Sequence, residues 1–479
     1  MKNSMTKNYI YNLTYQILTL IFPLITAPYI SRVLGATSIG IYSYTLSISA
    51  YFILLGSLGV ALYGEREIAY NQKDKKQYSI KFWEIVILRA ITMAISIIIF
   101  YFTFSKNGEY AIYYKILLLE IIANCLDISW LFQGLEDFKI IIKRNLIVKI
   151  ISIICMFVFI KSPNDLKIYY WIYVISLLIG NGSLWLYLPK ILDKVQLKEL
   201  HILRHLKPTI NLFIPQIAIQ IYTLLDRTMI GTIVADKSEV GYYDQSQKII
   251  KMLLTVITSL EIVMIPRVAS TYSEGDENKI KNYMKESFAM VFFLSIPMIF
   301  GTITISDAFV PIFFGKGYDE VVKLMNTICP ILLIIGISNV IGKQYLLPTK
   351  RENQYTISVI MGATINFILN SFLIAKFGAM GASIATVVAE MTVTGVQLYF
   401  TRNEFEFKKI MKLSINYIIA GIIMFIVCLI TGKLISNNVL SIIVQSISGT
   451  ATYLICLYIL KDAFMLKICE KLKIKINNK

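Results

Sequence analysis

The amino-acid sequence predicts an all-α integral membrane protein with about 14 transmembrane helices. Hydrophobic residues make up 56% of the 479 residues, charged residues make up 16%, and the mean hydropathy is +0.65. These values lie outside the range of soluble globular domains. The apolar residues also occur in runs of roughly 17 to 25, each long enough to cross a hydrocarbon core of about 30 Å.

Each predicted helix corresponds to one apolar run bounded by polar or charged residues. The first run contains Asn12, Thr14 and Gln16 and lacks a clear cleavage site. We therefore interpret it as a retained span rather than a signal peptide. In order, the predicted helices are residues 9–31, 39–63, 80–104, 112–134, 145–161, 168–188, 209–234, 246–266, 285–306, 322–347, 355–375, 379–401, 411–431 and 438–460.

The net charge of +17 bears on the orientation of these helices. In a soluble protein it would suggest nucleic-acid binding, but in a membrane protein the loops rich in Lys and Arg face the cytoplasm. With the N-terminus inside, the inner segments hold about 32 of the 47 Lys and Arg residues and the outer loops hold about 9. An even number of spans then places both termini in the cytoplasm.

The longest break between apolar runs, residues 191–208, divides the predicted helices into two lobes. We expect six helices in an N-terminal lobe (1–190) and six in a C-terminal lobe (209–402). Two further helices and a basic cytoplasmic tail follow at 403–479. The break itself has the pattern of a basic amphipathic helix that lies on the membrane surface.

His201 and His205 are four residues apart in this break, a spacing that can hold a metal ion. No third ligand lies nearby in the sequence, so we interpret both histidines as part of a solvated helix face. The six cysteines contain no CxxC pair, and we interpret them as reduced packing residues.

A short repeat supports the division into two lobes. TSIGIY (37–42) and SEVGYY (238–243) each lead into the following span, at an offset of 201 residues. The offset pairs the first helix with the seventh and predicts internal pseudo-symmetry.

Several motifs occur in a characteristic order. They are LYGEREIA (62–69), WLFQGLEDFKI (130–140), LPTKRENQY (347–355), INFILN (365–370) and GAMGASIATVVAE (378–390). In this order they resemble the motifs of the Wzx-type polysaccharide flippases, within the multidrug/oligosaccharidyl-lipid/polysaccharide exporter superfamily. The resemblance implies two pseudo-symmetric six-helix lobes around a MATE-like, V-shaped cavity, plus two C-terminal helices.

The same resemblance implies a transporter rather than an enzyme. It implies that polyprenyl-pyrophosphate-linked oligosaccharide repeat units pass from the cytoplasmic to the outer leaflet of the bacterial plasma membrane by alternating access. The implied partners are this lipid-linked glycan, membrane lipid, and glycan polymerase and export proteins, without nucleic acid.

A substrate of this kind requires cations that bind its phosphates. Arg89 lies about 15 Å inside the third span, too deep for its side chain to extend fully to the surface. We expect it either to bind pyrophosphate or to form a structural ion pair with Asp127. Five further cations lie nearer the ends of their spans, so their side chains could instead extend to the membrane interface rather than bind phosphate. They are Arg227, Lys248, Lys251, Arg32 and Lys115.

A second set of polar residues within the spans predicts a site for a coupling ion, either Na⁺ or H⁺. We expect no other cofactor or metal. Asp226 is too short to reach the interface and therefore needs a cation, a hydrogen-bond network or a proton. Asn366 and Asn370 share one helix face, as do Thr386 and Glu390. The set resembles the Na⁺ site of relatives that flip lipid-linked peptidoglycan precursors, except that they have an acid where this chain has Asn370. The alternative role for the two asparagines is hydrogen bonding between helices.

Two more groups complete the predicted site. Glu120, Asn124 and Asp127 fall within about 60° on one face of the fourth span, so we expect this stripe to face the cavity or a partner helix. Four charged residues at the inner surface are expected to form the salt bridges of an inner gate: Glu65, Arg66, Glu136 and Asp137.

Three other functions stay open at the level of the sequence. One is a structural scaffold for a glycan assembly complex, although buried charges would then serve no purpose. A multidrug or organic-cation antiporter of the same fold would need an acidic, largely apolar cavity, whereas the spans of this chain contain arginine and lysine. A membrane glycan polymerase would need reactive residues on a large outer loop, but the outer loops are short and both histidines lie in the predicted cytoplasmic break.

Overall fold

The computed structural model of the protein describes residues 2–467 and 469–470. Within that range, the side chains of residues 2–21, 214–216, 218–219, 221–222 and 407 are not described. The described residues are almost entirely helical and contain no β-strand, which confirms the all-α prediction.

Seventeen α-helices are present in the described part of the chain. Shorter 3₁₀ turns and two π-helical turns, Tyr101–Ser105 and Gly342–Leu346, lie between them. In chain order the α-helices are Lys2–Ser57 (α1), Val60–Tyr70 (α2), Lys75–Phe100 (α3), Ala111–Cys125 (α4), Ser129–Gly134 (α5), Phe138–Phe159 (α6), Leu166–Leu184 (α7), Leu188–Ile191 (α8), Leu206–Ile233 (α9), Ser238–Thr258 (α10), Glu261–Glu274 (α11), Glu277–Phe313 (α12), Asp319–Ile328 (α13), Ile331–Ile341 (α14), Glu352–Phe400 (α15), Phe407–Leu434 (α16) and Asn438–Ile459 (α17).

Two helices each contain two of the predicted spans and break at a glycine. Gly35 interrupts α1 with φ 76° and ψ 169°, and Gly378 interrupts α15 with φ 55° and ψ −132°. A residue with a Cβ rarely adopts either backbone conformation, so glycine allows the chain to change direction between consecutive spans.

The described residues contain 10 helical segments long and apolar enough to cross a membrane. Two of them, Phe22–Tyr70 and Glu352–Phe400, correspond to two predicted spans each. Helices α6 and α9 account for the remaining two of the 14 predicted spans. The chain is therefore a multi-pass membrane protein, as its composition predicts.

The chain divides into two compact units, Met1–Gly241 and Tyr242–Lys479. This division differs from the boundary that we predicted within residues 191–208, because α9 packs on α1 and α2 and so belongs to the first unit.

In the first unit, α4 packs on α7, and α1 packs on α3. In the second unit, α12 packs on α14, α16 and α17, so the last two helices are part of that unit's core.

The segment predicted as an amphipathic helix is not one. Residues 192–205 form extended backbone and two short 3₁₀ turns, Leu197–Glu199 and Ile202–His205. The prediction is wrong because the segment bonds to α3: the buried carboxylate of Glu84 accepts the backbone N–H of His201 at 2.5 Å. A contact made with a distant helix replaces the hydrogen bonds of a local helix.

Candidate functional site

Two of the sequence motifs pack directly against each other in the first unit. Gly64, in α2, lies under the ring of Trp130, in α5, and a Cβ at Gly64 would be 2.5 Å from the Cε3 atom of that ring. A Cβ at Gly134 would be 2.6 Å from the backbone oxygen of Glu65. The ring of Trp130 also stacks on Phe82 of α3, with centroids 5.4 Å apart. The LYGEREIA and WLFQGLEDFKI motifs thus form one closely packed structural element.

The four predicted gate residues border this packed element. Glu136 adopts a left-handed conformation (φ 59°) in the turn after α5, and both Glu136 and Asp137 are exposed. Arg66 lies over the rings of Tyr63 and Tyr70, at 5.5 and 6.0 Å, and 3.9 Å from Glu67. Glu65 is half-buried on the same helix. Their role in a gate stays a prediction.

Arg89 is buried in the first unit, with 5% of its surface exposed. Its guanidinium Nη1 donates to the backbone carbonyl of Asp127 at 2.6 Å. The carboxylate of Asp127 instead accepts the backbone N–H of Ser129 at 2.9 Å. Arg89 therefore satisfies a carbonyl group at the break between α4 and α5, where helical hydrogen bonding is interrupted. The predicted role of Arg89 in binding phosphate stays a prediction.

The predicted polar stripe of the fourth span is divided by that break. Helix α4 ends at Cys125, so Asp127 lies beyond the helix and does not continue its face. Asn124 donates to the backbone oxygen of Glu120 at 2.9 Å. The prediction of a continuous stripe is wrong because it assumed an unbroken helix through residues 112–134.

Glu120 instead sits in a site that the sequence did not reveal. It is 4% exposed and accepts hydrogen bonds from the hydroxyls of Ser49, at 2.7 Å, and Tyr173, at 2.8 Å. The ring of Tyr42 packs beside it against Tyr169 and Tyr173, with centroids 4.5 and 5.9 Å apart. The bonds join α1, α4 and α7, so only the packing of distant helices brings this carboxylate and its donors together.

The other predicted phosphate-binding cations differ in exposure. Arg32, Lys115 and Lys251 are exposed, and Arg227 is half-buried in α9. Lys248 of α10 lies 3.6 Å from the carboxylate of Asp244 and donates to Gln245 at 3.1 Å. These positions do not test the predicted role in phosphate binding.

The predicted coupling residues fall in both units. In the second unit, Asn366 and Asn370 are fully buried on α15, and Asn370 donates to Asn366 at 3.0 Å. Thr386, also on α15, lies 3.2 Å from the hydroxyl of Tyr243, which accepts a hydrogen bond from Gln247 at 2.8 Å.

Nδ2 of Asn366 and Oε1 of Gln247 have no hydrogen-bond partner among the described residues. Glu390 is half-buried on the same helix. Asp226 is 7% exposed and belongs to the first unit. The sequence analysis did not place Tyr243 or Gln247 in this polar group. Their hydrogen bonds lead to Thr386 on another helix, and such a contact cannot be seen in the sequence.

Glu84 of α3 forms hydrogen bonds to the segment that precedes α9, residues 192–205, which includes the buried His205. Glu84 has no exposed side-chain surface, and its Oε2 accepts from Arg204 at 2.5 Å and lies 2.7 Å from Nε2 of His205. Nδ1 of His205 lies 2.6 Å from the hydroxyl of Tyr63. His205 is 1% exposed, so its interpretation as part of a solvated face is wrong.

Burial lowers the pKa of His205, although hydrogen bonding to Glu84 acts in the opposite direction. A neutral imidazole fits the contacts, because Nε2–H donates to Glu84 while Nδ1 accepts the hydroxyl proton of Tyr63. Within the described residues, no group of three or more His, Cys, Asp or Glu side chains is arranged to hold a metal ion.

The chain belongs to the polysaccharide biosynthesis protein family, whose sequence profile matches residues 5–272. A second profile, that of the MatE family, matches residues 212–372. These matches agree with the resemblance that the motifs indicate.

Several curated relatives match over nearly their full lengths. A protein of Escherichia coli (strain K12) that bears the name of an O-antigen transporter is 25% identical, over 84% of this chain and 98% of that protein. The capsular polysaccharide biosynthesis protein CapF of Staphylococcus aureus is 24% identical, over 84% of this chain and 100% of that protein.

Solved structures show which fold the chain adopts. The lipid II flippase MurJ in an inward closed conformation gives a TM-score of 0.77 at 18% identity, covering 94% of this chain and 98% of that chain. An inward-facing multidrug resistance MATE family transporter of the MOP superfamily gives 0.63 at 15% identity, covering 80% and 93%. The fold is therefore that of the MurJ and MATE transporters.

Proposed function

We propose that this protein is a flippase that transfers lipid-linked glycans between the leaflets of the membrane. The family match over residues 5–272 carries the proposal. Relatives that match over nearly their full lengths bear names in O-antigen transport and capsular polysaccharide biosynthesis. Charged and amide side chains buried inside apolar helices, such as Glu120 and Asn366, suit a transporter, because such groups are costly in a membrane.

We further propose that the cargo is a polyprenyl-pyrophosphate-linked oligosaccharide repeat unit that moves outward across a bacterial plasma membrane by alternating access. The excess of Lys and Arg in the predicted inner segments supports an orientation with both termini in the cytoplasm. Glycan polymerase and export proteins are the proposed functional partners. The proposed contacts for phosphate are Arg89, Arg227, Lys248, Lys251, Arg32 and Lys115.

The test is mass spectrometry of polyprenyl-linked glycans from a strain that lacks this gene, combined with staining of the surface glycan. We expect complete repeat units to accumulate on their lipid carrier while the surface glycan disappears. The mass of the accumulated species would also identify the sugars. Unchanged lipid-linked and surface glycans would contradict the proposal.

Transport is proposed to be coupled to H⁺ or Na⁺ through Asp226, Asn366, Asn370, Thr386 and Glu390. For Na⁺, the buried polar group of the second unit offers oxygen atoms of the kind that hard cations prefer, from Asn366, Thr386 and Gln247. For H⁺, Asp226 and Glu390 supply carboxylates. A bound ion would favour one transport state by binding that state more tightly.

Two substitutions separate these alternatives in proteoliposomes with imposed ion gradients. Asp226→Asn removes a titratable group and should abolish the dependence of transport on pH if H⁺ is coupled through it. Asn370→Asp introduces an acid beside Asn366 and should create or strengthen dependence on Na⁺. If neither substitution alters ion dependence, the coupling assignment is wrong.

A multidrug antiporter is the second candidate, because the MatE profile matches residues 212–372. It would export organic cations such as ethidium, and loss of the gene would raise cellular ethidium without altering lipid-linked glycans. The same deletion strain therefore decides between the two functions.

A further inference from the structure

A polar groove lies between α6 and α7 on the first unit. It encloses ≈ 240 Å³, and its polar lining consists of Arg144, Asn145, Lys149, Tyr173, Ser176 and Asn181, with Ser152 at its base. The lining contains two cations and no carboxylate. It thus has the charge of a site for an anion.

Lys149 lies near the middle of a membrane-crossing helix. It is 11 residues from the start of the 22-residue α6, or about 16 Å along the helix axis. Among the described residues, no hydrogen bond or ion pair is formed by its ammonium group. In the predicted span 145–161 Lys149 is the fifth residue, where a charged amine is costly unless its side chain reaches the interface or a group of opposite charge approaches it.

Arg144 is oriented toward the same groove from one and a half turns earlier on α6. Its Nη1 donates to Oδ1 of Asn181 at 2.7 Å, and Nδ2 of Asn181 donates to the backbone oxygen of Ala123 at 2.7 Å. The planar guanidinium is therefore held in a defined position, as paired donation to phosphate oxygens requires.

Exposed apolar side chains lie on the same two helices. Ile150 and Ile154 of α6 are 49% and 55% exposed, and Ile179 of α7 is 62% exposed. In a membrane protein such apolar surface contacts acyl chains. An anion with an apolar tail therefore matches this site better than a soluble anion does.

We propose that the groove between α6 and α7 binds the phosphate group of a membrane lipid through Lys149 and Arg144. Lys149 supplies an ammonium group, and Arg144 supplies guanidinium donors nearer the start of α6. The lipid tail extends along the apolar surface of the same two helices. This site is separate from the cations proposed above for the substrate, and its existence does not depend on the flippase assignment.

The test is native mass spectrometry of the detergent-purified full-length protein titrated with three phosphate compounds. These are undecaprenyl pyrophosphate, phosphatidylglycerol and inorganic pyrophosphate, and diacylglycerol serves as the lipid without phosphate. We expect binding of the phosphate lipids to weaken at least about tenfold in Lys149→Gln, the loss that removal of one charge-assisted contact produces. Lys149→Arg, which retains the charge, should bind within a few-fold of the wild type.

Lys143→Gln is the matched control, because Lys143 is an exposed cation of the same helix that does not line the groove. It should leave lipid binding unchanged. Tighter binding of undecaprenyl pyrophosphate than of phosphatidylglycerol would identify a carrier-lipid site, and the reverse order a phospholipid site.

Three results would overturn the proposal. They are equal lipid binding by Lys149→Gln and the wild type, binding of diacylglycerol as tight as that of the phosphate lipids, and binding of inorganic pyrophosphate as tight as that of the lipids. A fourth contrary result is loss of binding in both Lys149 variants, because Lys149→Arg retains the charge and loss in that variant would contradict charge recognition.

Discussion

Glu84 is the residue on which the segment before α9 depends most. Its carboxylate, which has no exposed surface, accepts from the backbone of His201 and from the side chains of Arg204 and His205. Removing a buried anion leaves its donors without an acceptor, and that loss is larger than the net contribution of the contacts themselves.

We predict that Glu84→Ala lowers the free energy of unfolding by about 2–3 kcal/mol, a value reduced from the cost of a wholly buried pair because Arg204 is partly exposed. Thermal unfolding of the purified protein in detergent measures this change. Asp193→Ala is the control, because its partner Lys75 and Asp193 itself are each 46% exposed, and it should cost less than about 1 kcal/mol. Equal losses in the two variants would contradict the central role of Glu84.

His205 predicts a pH dependence of stability. Its folded-state pKa is lowered by burial, with Arg204 and Lys81 acting in the same direction and Glu84 in the opposite one. Below the usual histidine pKa of about 6.5, the unfolded chain therefore binds a proton that the folded chain resists. The stabilisation is complete above that pH and decreases as the pH falls toward the folded-state pKa.

The measurement is thermal unfolding of wild type and His205→Gln between pH 5 and pH 8. We expect the wild type to lose more stability on acidification, because the variant lacks the imidazole. A parallel pH profile for the two proteins would show that His205 does not titrate differently in the folded and unfolded states.

At the scale of helices, α2 and α5 pack closely because each has a glycine at the point of contact. Gly64 admits the ring of Trp130, and Gly134 admits the backbone of Glu65. Because Trp130 is 1% exposed and stacks on Phe82, its ring cannot move away without disturbing α3.

We predict that Gly64→Ala destabilises the protein by about 1–3 kcal/mol, the usual cost of overpacking a filled core. Gly182→Ala in α7 is the matched control, because a Cβ there meets nothing within 4 Å. It should be neutral or stabilising by up to about 1 kcal/mol, as alanine has the higher helix propensity. Unfolding temperatures in detergent measure both, and an unchanged value for Gly64→Ala would contradict this account of the motif.

At the scale of the whole molecule, the charge distribution predicts a topology that can be measured. Lys73 precedes α3, and Lys106 follows the π-helical turn that extends it, so the two exposed lysines should lie on opposite sides of the membrane. In a cysteine-free background, we expect an impermeant maleimide to label Lys106→Cys in intact cells. Lys73→Cys should react only after permeabilisation, and labelling of both in intact cells would contradict the predicted orientation.

The sequence by itself determined the class of fold and the positions of the membrane-spanning helices. Run length and hydropathy are local properties, and the bilayer requires both of every spanning helix, so they can be read without knowledge of the neighbouring helices. The ordered motifs likewise indicated the family that the profile match confirms.

Only the tertiary structure decided which partner each buried polar group has. Glu120 bonds to Ser49 and Tyr173, and Glu84 bonds to a histidine 121 residues away. Arg89 donates a hydrogen bond to a backbone carbonyl at the break between α4 and α5. No pattern of charges in the sequence indicates that break. A buried polar group must find some partner, but the packing of distant helices selects which one, because hydrogen bonds depend on separations in space rather than along the chain.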